Sequence, residues 1–104
     1  MSEMASLGAL SAGDFEPHKG MRFRVPVEGG EDLELELLEV VGRQGDTVEG
    51  AERQPFSVLF RGPAERAFEQ RICRLEHDAM GALDLFLVPV GTDSLGMRYE
   101  AIFS

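Results

Sequence analysis

Over residues 71–104 the chain reads RICRLEHDAMGALDLFLVPVGTDSLGMRYEAIFS, with apolar residues at every second position between turn signals. Side chains of a β-strand alternate between two faces, whereas an amphipathic helix repeats about every 3.6 residues, so this stretch is expected to fold as strands. In its first run Arg71, Cys73, Leu75 and His77 share one face, and Ile72, Arg74 and Glu76 the other. In the second, Leu83, Leu85 and Leu87 alternate with Asp84, Phe86 and Val88. Both faces of that run are largely apolar, the pattern of a central strand covered on two sides. Pro89 has no N–H to donate, so the strand is expected to end or bulge there. In the third, Met97, Tyr99, Ala101 and Phe103 face a core while Arg98, Glu100 and Ile102 face out. Positions 78–81 and 91–96 carry the Gly, Asp and Ser that tight turns use. The last run is expected to be paired, and trimming it to unfold the protein.

The same pattern holds upstream. In residues 21–27 Met21, Phe23, Val25 and Val27 oppose Arg22 and Arg24, and Pro26 places the end of the strand at an edge or a bulge. Glu28, Gly29, Gly30 and Glu31 make a hairpin connection. In residues 32–41 Leu33, Leu35 and Leu37 alternate with Glu34 and Glu36, after which Leu38 and Val40 become the apolar set. That slip of phase predicts a bulge near 37–38. Leu and Glu favour helix, but the strict alternation outweighs the propensity. Residues 55–61 form a further run, with Phe56, Val58 and Phe60 on one face and Gly62 and Pro63 ending it. Short helical turns are expected near 11–16, stopped by Pro17, and near 64–70. Residues 42–54 read as a polar link. Residues 1–10 read as a loose arm from which Leu7 and Leu10 can dock. The expectation is an all-β, mainly antiparallel, single β-domain over 1–104. About six strands form a meander that closes into a small barrel or a two-layer sandwich.

A chain of 104 residues can bury a core without staples. The single cysteine, Cys73, excludes an internal disulfide and fits a reducing, cytoplasmic compartment. The opening MSEMASLGALSAGD lacks the basic and apolar regions of a secretory signal. No run approaches the roughly 20 apolar residues of a membrane span. The formal net charge of −9 argues against nucleic acid and against anionic membranes. Residues 28–54 hold nine acidic and two basic side chains, so most of the excess negative charge lies there.

The segments PFSVLFRGP (55–63), ICRLEH (72–77), 81–91 and RYEAIF (98–103), with Leu10, Phe15, Gly20 and Phe23, resemble a family of small uncharacterised bacterial domains. The match spans nearly the whole chain. The resemblance implies no established activity. It points to neighbours of the phage-tail-like or tail-collar kind, and so to assembly. Where this chain has Cys73 the family more often has an aromatic residue, which weakens a nucleophilic role for the thiol.

Residue by residue, catalytic chemistry finds little support. Cys73 and His77 share a face, but four residues along a strand separate them by about 13 Å, too far for a nucleophile–base pair. A buried thiol and a histidine bonded to turn backbone are expected instead. His18 and His77 with nearby carboxylates lack the spacing of a metal motif. Glu34, Glu36 and Glu39 read as a solvated face rather than a hydrolytic pair. Gly29 and Gly30 precede no helix that would cradle phosphate, and Ser57 lacks the glycine-flanked elbow of a hydrolase. An enzyme using His77 with Glu76 or Tyr99 ranks last. No catalytic residue, cofactor or metal is expected.

The remaining constellation lies on the outward faces: Arg61, Arg74, Glu76, Arg98 and Glu100, flanked by Leu59, Phe86 and Ile102. Were their strands neighbours, the charges would form a cross-strand ladder. Apolar groups ringed by charge also fit a protein-contact surface. The sequence therefore favours a non-enzymatic structural or interaction module, with a protein partner or self-association. The alternative is a small-ligand-binding β-barrel with Phe56, Phe60 and Tyr99 lining a cavity.

Overall fold

The computed structural model describes residues 10–42 and 55–103. They form β1 (Arg22–Val25), β2 (Leu33–Gly42), β3 (Phe56–Gly62), β4 (Arg71–His77), β5 (Gly81–Asp93) and β6 (Gly96–Phe103). Each apolar alternation read above is one of these strands. The expectations for the arm with Leu7, for most of the polar link and for Ser104 lie outside the described residues.

All strand pairs are antiparallel, and the sheet closes as a barrel in the order β1-β2-β3-β6-β5-β4. This refines the expected single meander. Two meanders, β1-β2-β3 and β4-β5-β6, are joined by a crossover over residues 63–70, so β3 pairs with β6 and β4 with β1. The β3–β6 register sets Phe56, Val58 and Phe60 opposite Phe103, Ala101 and Tyr99. Two inward apolar rows thus lie side by side, a pairing that buries both at once.

Both phase irregularities fall where the residues predict. Leu37 pairs with Phe60 and Glu39 with Leu59, leaving Leu38 as a bulge. Pro89 pairs with Tyr99 and Gly91 with Arg98, leaving Val90 as a second, after which β5 runs on to Asp93. A bulge takes up the missing proline N–H without ending the strand.

The core comprises the alternating inward side chains, among them Phe23, Leu35, Phe60, Leu75, Leu85 and Tyr99. Each end of the barrel is closed by a short irregular segment. At one end α1 (Ala12–Phe15) brings the buried Phe15 ring to 6.0 Å from Phe56 and 5.6 Å from Phe103. The Ser11 N–H donates to the Asp14 carboxylate at 2.8 Å, fixing the start of that turn. Pro17 does not stop the helical segment. It sits inside a 3-10 continuation, Glu16–His18, where its fixed φ is tolerated.

The crossover closes the other end. Its 3-10 turn spans only Ala64–Arg66, shorter than the expected 64–70. Arg66 donates to the Glu31 carbonyl at 2.8 Å, and the Phe68 N–H donates to the Tyr99 hydroxyl at 3.1 Å. The Phe68 and Tyr99 rings stack with centroids 4.2 Å apart.

A further expectation is overturned. β5 buries Leu83, Leu85 and Leu87, but Phe86 on its second face is exposed. A closed barrel has one inside, so the apolar second face of β5 looks outward. Among the described residues no helix is long and apolar enough to cross a membrane.

Candidate interaction surface

The outward faces of β4, β5 and β6 build the site. Ile72 on β4 pairs with Phe86 on β5. The β5–β6 register, Val88 with Glu100, carried two residues further, sets Phe86 opposite Ile102. Ile72, Phe86 and Ile102 are 70%, 52% and 54% exposed, so three large apolar side chains stand in a row across three strands. Beyond Ile102 the row continues into β3 at Ser57, which is buried.

Charges flank the row. Arg74 pairs with Asp84, and its Nε lies 3.9 Å from Glu76. Glu76 pairs with Ala82 on one side and Arg24 on the other. Glu100 lies between the half-buried Leu59 of β3 and Val88 of β5.

The expected cross-strand ladder among Arg61, Arg74, Glu76, Arg98 and Glu100 does not form. In the closed ring β4 touches β1 and β5, not β3 or β6. Arg61 pairs with Arg98, a like charge. It is held instead by Glu36 of β2 at 3.4 Å and Asp93 at 3.1 Å. Asp93 also accepts the Leu95 and Gly96 N–H groups at 2.8 and 2.9 Å. Those bonds, with the Arg61 guanidinium, hold its carboxyl below the usual carboxylate range, the Leu95 bond foremost. Arg98 has a buried Nε without an acceptor among the described residues. Arg61 and Arg98 therefore lie apart from the apolar row.

Sequence reasoning passed over Ile72 as a site residue. Its signal was present: one apolar side chain in an otherwise charged outward stripe, Ile72, Arg74 and Glu76. It passed over Asp93, and Glu36 as a partner of Arg61, because both meetings depend on the register between strands.

The titratable residues of the other candidates are placed as follows. Cys73 is buried. His77 is buried, and its Nδ1 accepts the N–H groups of Ala79 and Met80 at 3.1 and 3.3 Å. Its ring stacks on Phe23 at 4.5 Å and meets His18 at 4.7 Å. The fold thus brings the two histidines together, although among the described residues no group of three metal-ligating side chains is present. Burial foremost, then His18, with Arg24 adding and Asp78 opposing, holds His77 below the ordinary imidazole value. Glu76 faces outward while His77 faces the core, so the two do not form an acid–base pair.

Phe56, Phe60 and Tyr99 are fully packed. Phe56 stacks on Phe103 at 4.5 Å, and Phe60 meets Phe23 edge-on at 5.4 Å. A shallow surface groove of about 600 Å³ runs over β2, lined by Arg22, Glu34, Glu36, Arg61 and Arg66 among others. Its walls are mostly charged, with Leu33, Pro63 and Leu95 among them, and hold no aromatic side chain, unlike the apolar pockets that take small ligands.

A family model described as a domain of unknown function, DUF6916, matches residues 10–103. No curated protein and no solved structure matches the chain.

Proposed function

The chain belongs to the DUF6916 family, and on that premise we propose that it is a non-enzymatic interaction module that packs through the outer face of β4, β5 and β6 onto a protein partner. One observation carries this reading: Ile72, Phe86 and Ile102 stand exposed in a row. A lone exposed isoleucine is ordinary, but adjacent large apolar side chains rimmed by charge are the make-up of a contact surface. The packed core of the barrel lies beneath them. The resemblance noted in the sequence points to a bacterial, phage-tail-like assembly, and the lone buried thiol fits a cytoplasmic one.

The test compares the native chain with Phe86→Asp and Ile102→Asp, which alter only outward side chains. Sedimentation reads self-association, and affinity capture from the native host reads hetero-association. The expected result is an oligomer or a co-purifying protein that both substitutions release while the fold is retained. A strict monomer that retains the same proteins with and without the substitutions would reject the proposal.

A further inference from the structure

We propose that β4 accepts an extended acidic segment of the partner as an added strand along its open edge; this deepens the interaction-module reading and rests on it. β4 pairs with β5 over its whole length, from Arg71 with Leu87 to His77 with Gly81. On its other side it is registered with β1 only at Arg24 and Glu76. Over residues 71–75, alternate N–H and C=O groups on that side have no ladder partner among the described residues.

The cause lies in β1. Its register with β4, carried two residues further, would set Pro26 against Arg74. Proline has no N–H, and β1 ends at Val25. The chain then turns away through Gly29 at φ 79° toward β2. The seam is therefore registered at one end and without ladder partners at the other. The unregistered stretch is about 17 Å long at about 3.3 Å per residue, the length of an ordinary strand.

Side chains along the edge set the chemistry of the occupant. Ile72 is the most exposed of the apolar row, and Phe86 stands beside it. A strand laid against β4 would cover Ile72 and present every second side chain to the same face. The cations beside the edge, Arg74 on that face and Arg71 on the other, are incompletely matched. Arg74 is largely exposed; its Nε lies 3.9 Å from Glu76, and Asp84 is its cross-strand neighbour on β5. The Arg71 guanidinium lies 4.5 Å above the Phe68 ring, and no carboxylate pairs with it among the described residues. Arg24, at the registered end, reaches Asp78 only at 3.5 Å. Glu69 and Glu76 flank the edge at its two ends, and Glu28 lies on the β1–β2 turn. Arg71 and Arg74 on the unregistered stretch of the edge, with the exposed Ile72 between them, favour an alternating acidic and apolar segment.

The probe is a blocked heptapeptide alternating Val and Glu, titrated into the isotope-labelled full chain and followed by NMR. The expected result is saturable shifts centred on the amides of residues 71–75. Binding should fall about tenfold or more with N-methyl groups on two adjacent central residues, with Ile72→Asp, and with Arg74→Glu. It should survive Ile102→Asp, and a Val/Lys peptide should not bind. No saturation up to about 1 mM, or equal binding of the N-methylated peptide, would overturn strand addition. If the peptide fails while Phe86→Asp still releases the native partner, the outer-face reading stands without the added strand. If the peptide binds as expected while the face substitutions change no native association, the edge is the contact and the outer-face reading falls.

Discussion

Arg24 and Glu76 face each other across the seam of the barrel, and among the described residues they are the one registered pair joining β1 to β4. Every other neighbouring pair of strands is held by at least four registered residue pairs. Closure is therefore weakest at the seam, and its backbone should open first.

Hydrogen exchange of the native protein checks this. The seam-facing amides of residues 71–75 are expected to exchange through local opening, well before those of residues 83–87 in β5. Equal protection of the two strands would show that the seam is bonded throughout.

The pH dependence of stability should carry the signature of His77. Its folded pKa lies below the ordinary 6.5 because burial, His18 and Arg24 disfavour the imidazolium. Below 6.5 the unfolded chain takes up a proton that the native site resists, so the unfolded state is favoured. The contribution is complete above that value and is lost as pH falls through the folded pKa. Protonation would also place a proton on the Nδ1 that accepts the Ala79 and Met80 N–H groups. Urea denaturation between pH 8 and pH 5 is expected to show a shallower loss of stability below about 6.5 in His77→Gln than in the native chain. Parallel curves would exclude the histidine as the source.

Tyr99 ties the crossover to the barrel through one hydroxyl. Burial holds that hydroxyl above the usual phenol range, so it stays protonated, and it accepts the Phe68 N–H. Tyr99→Phe keeps the stacked ring and removes the acceptor. The expected loss is about 1 kcal/mol, read as a lower denaturation midpoint at unchanged slope. Phe68 amide exchange should accelerate in the same variant.

Gly96 is needed for a different reason. Its φ is +154°, and a Cβ there would run into the Gly62 carbonyl oxygen, a backbone atom that cannot rotate aside. Gly96→Ala is expected to destabilise by about 2 kcal/mol or more. Gly13 in α1 is the control: a Cβ there meets only the Ser11 Oγ, at 3.7 Å. Gly13→Ala should be neutral or slightly stabilising, which thermal unfolding of both variants would compare.

The candidate surface was only half legible in the residues. Phe86 and Ile102 stood out because apolar side chains occupied the phase opposite the core. Their meeting with Ile72 could not be read, since it needs β4, β5 and β6 in adjacent order. The charges misled for the same reason. Arg61 and Glu100 lie on adjacent strands, yet Arg61 pairs with Arg98 and bonds to Glu36 and Asp93. Side-chain partners depend on register between distant segments, and alternation along one strand carries no information about its neighbour.

Local chemistry by itself determined which residues extend and which side of each strand is buried. Period-two alternation placed Phe23, Leu35, Val58, Leu75, Leu85 and Tyr99 in one core, and all are buried. A slip of phase located one bulge, and a missing N–H at Pro89 located the other. Only the tertiary structure decided that β3 lies beside β6, that β4 returns to β1, and that the second apolar face of β5 meets solvent. Strand pairing is chosen by how several inward rows fill one interior together, a property no single segment possesses. Pro26 shows the two levels meeting: the residue limits β1, but only closure of the ring turns that limit into an open edge on β4.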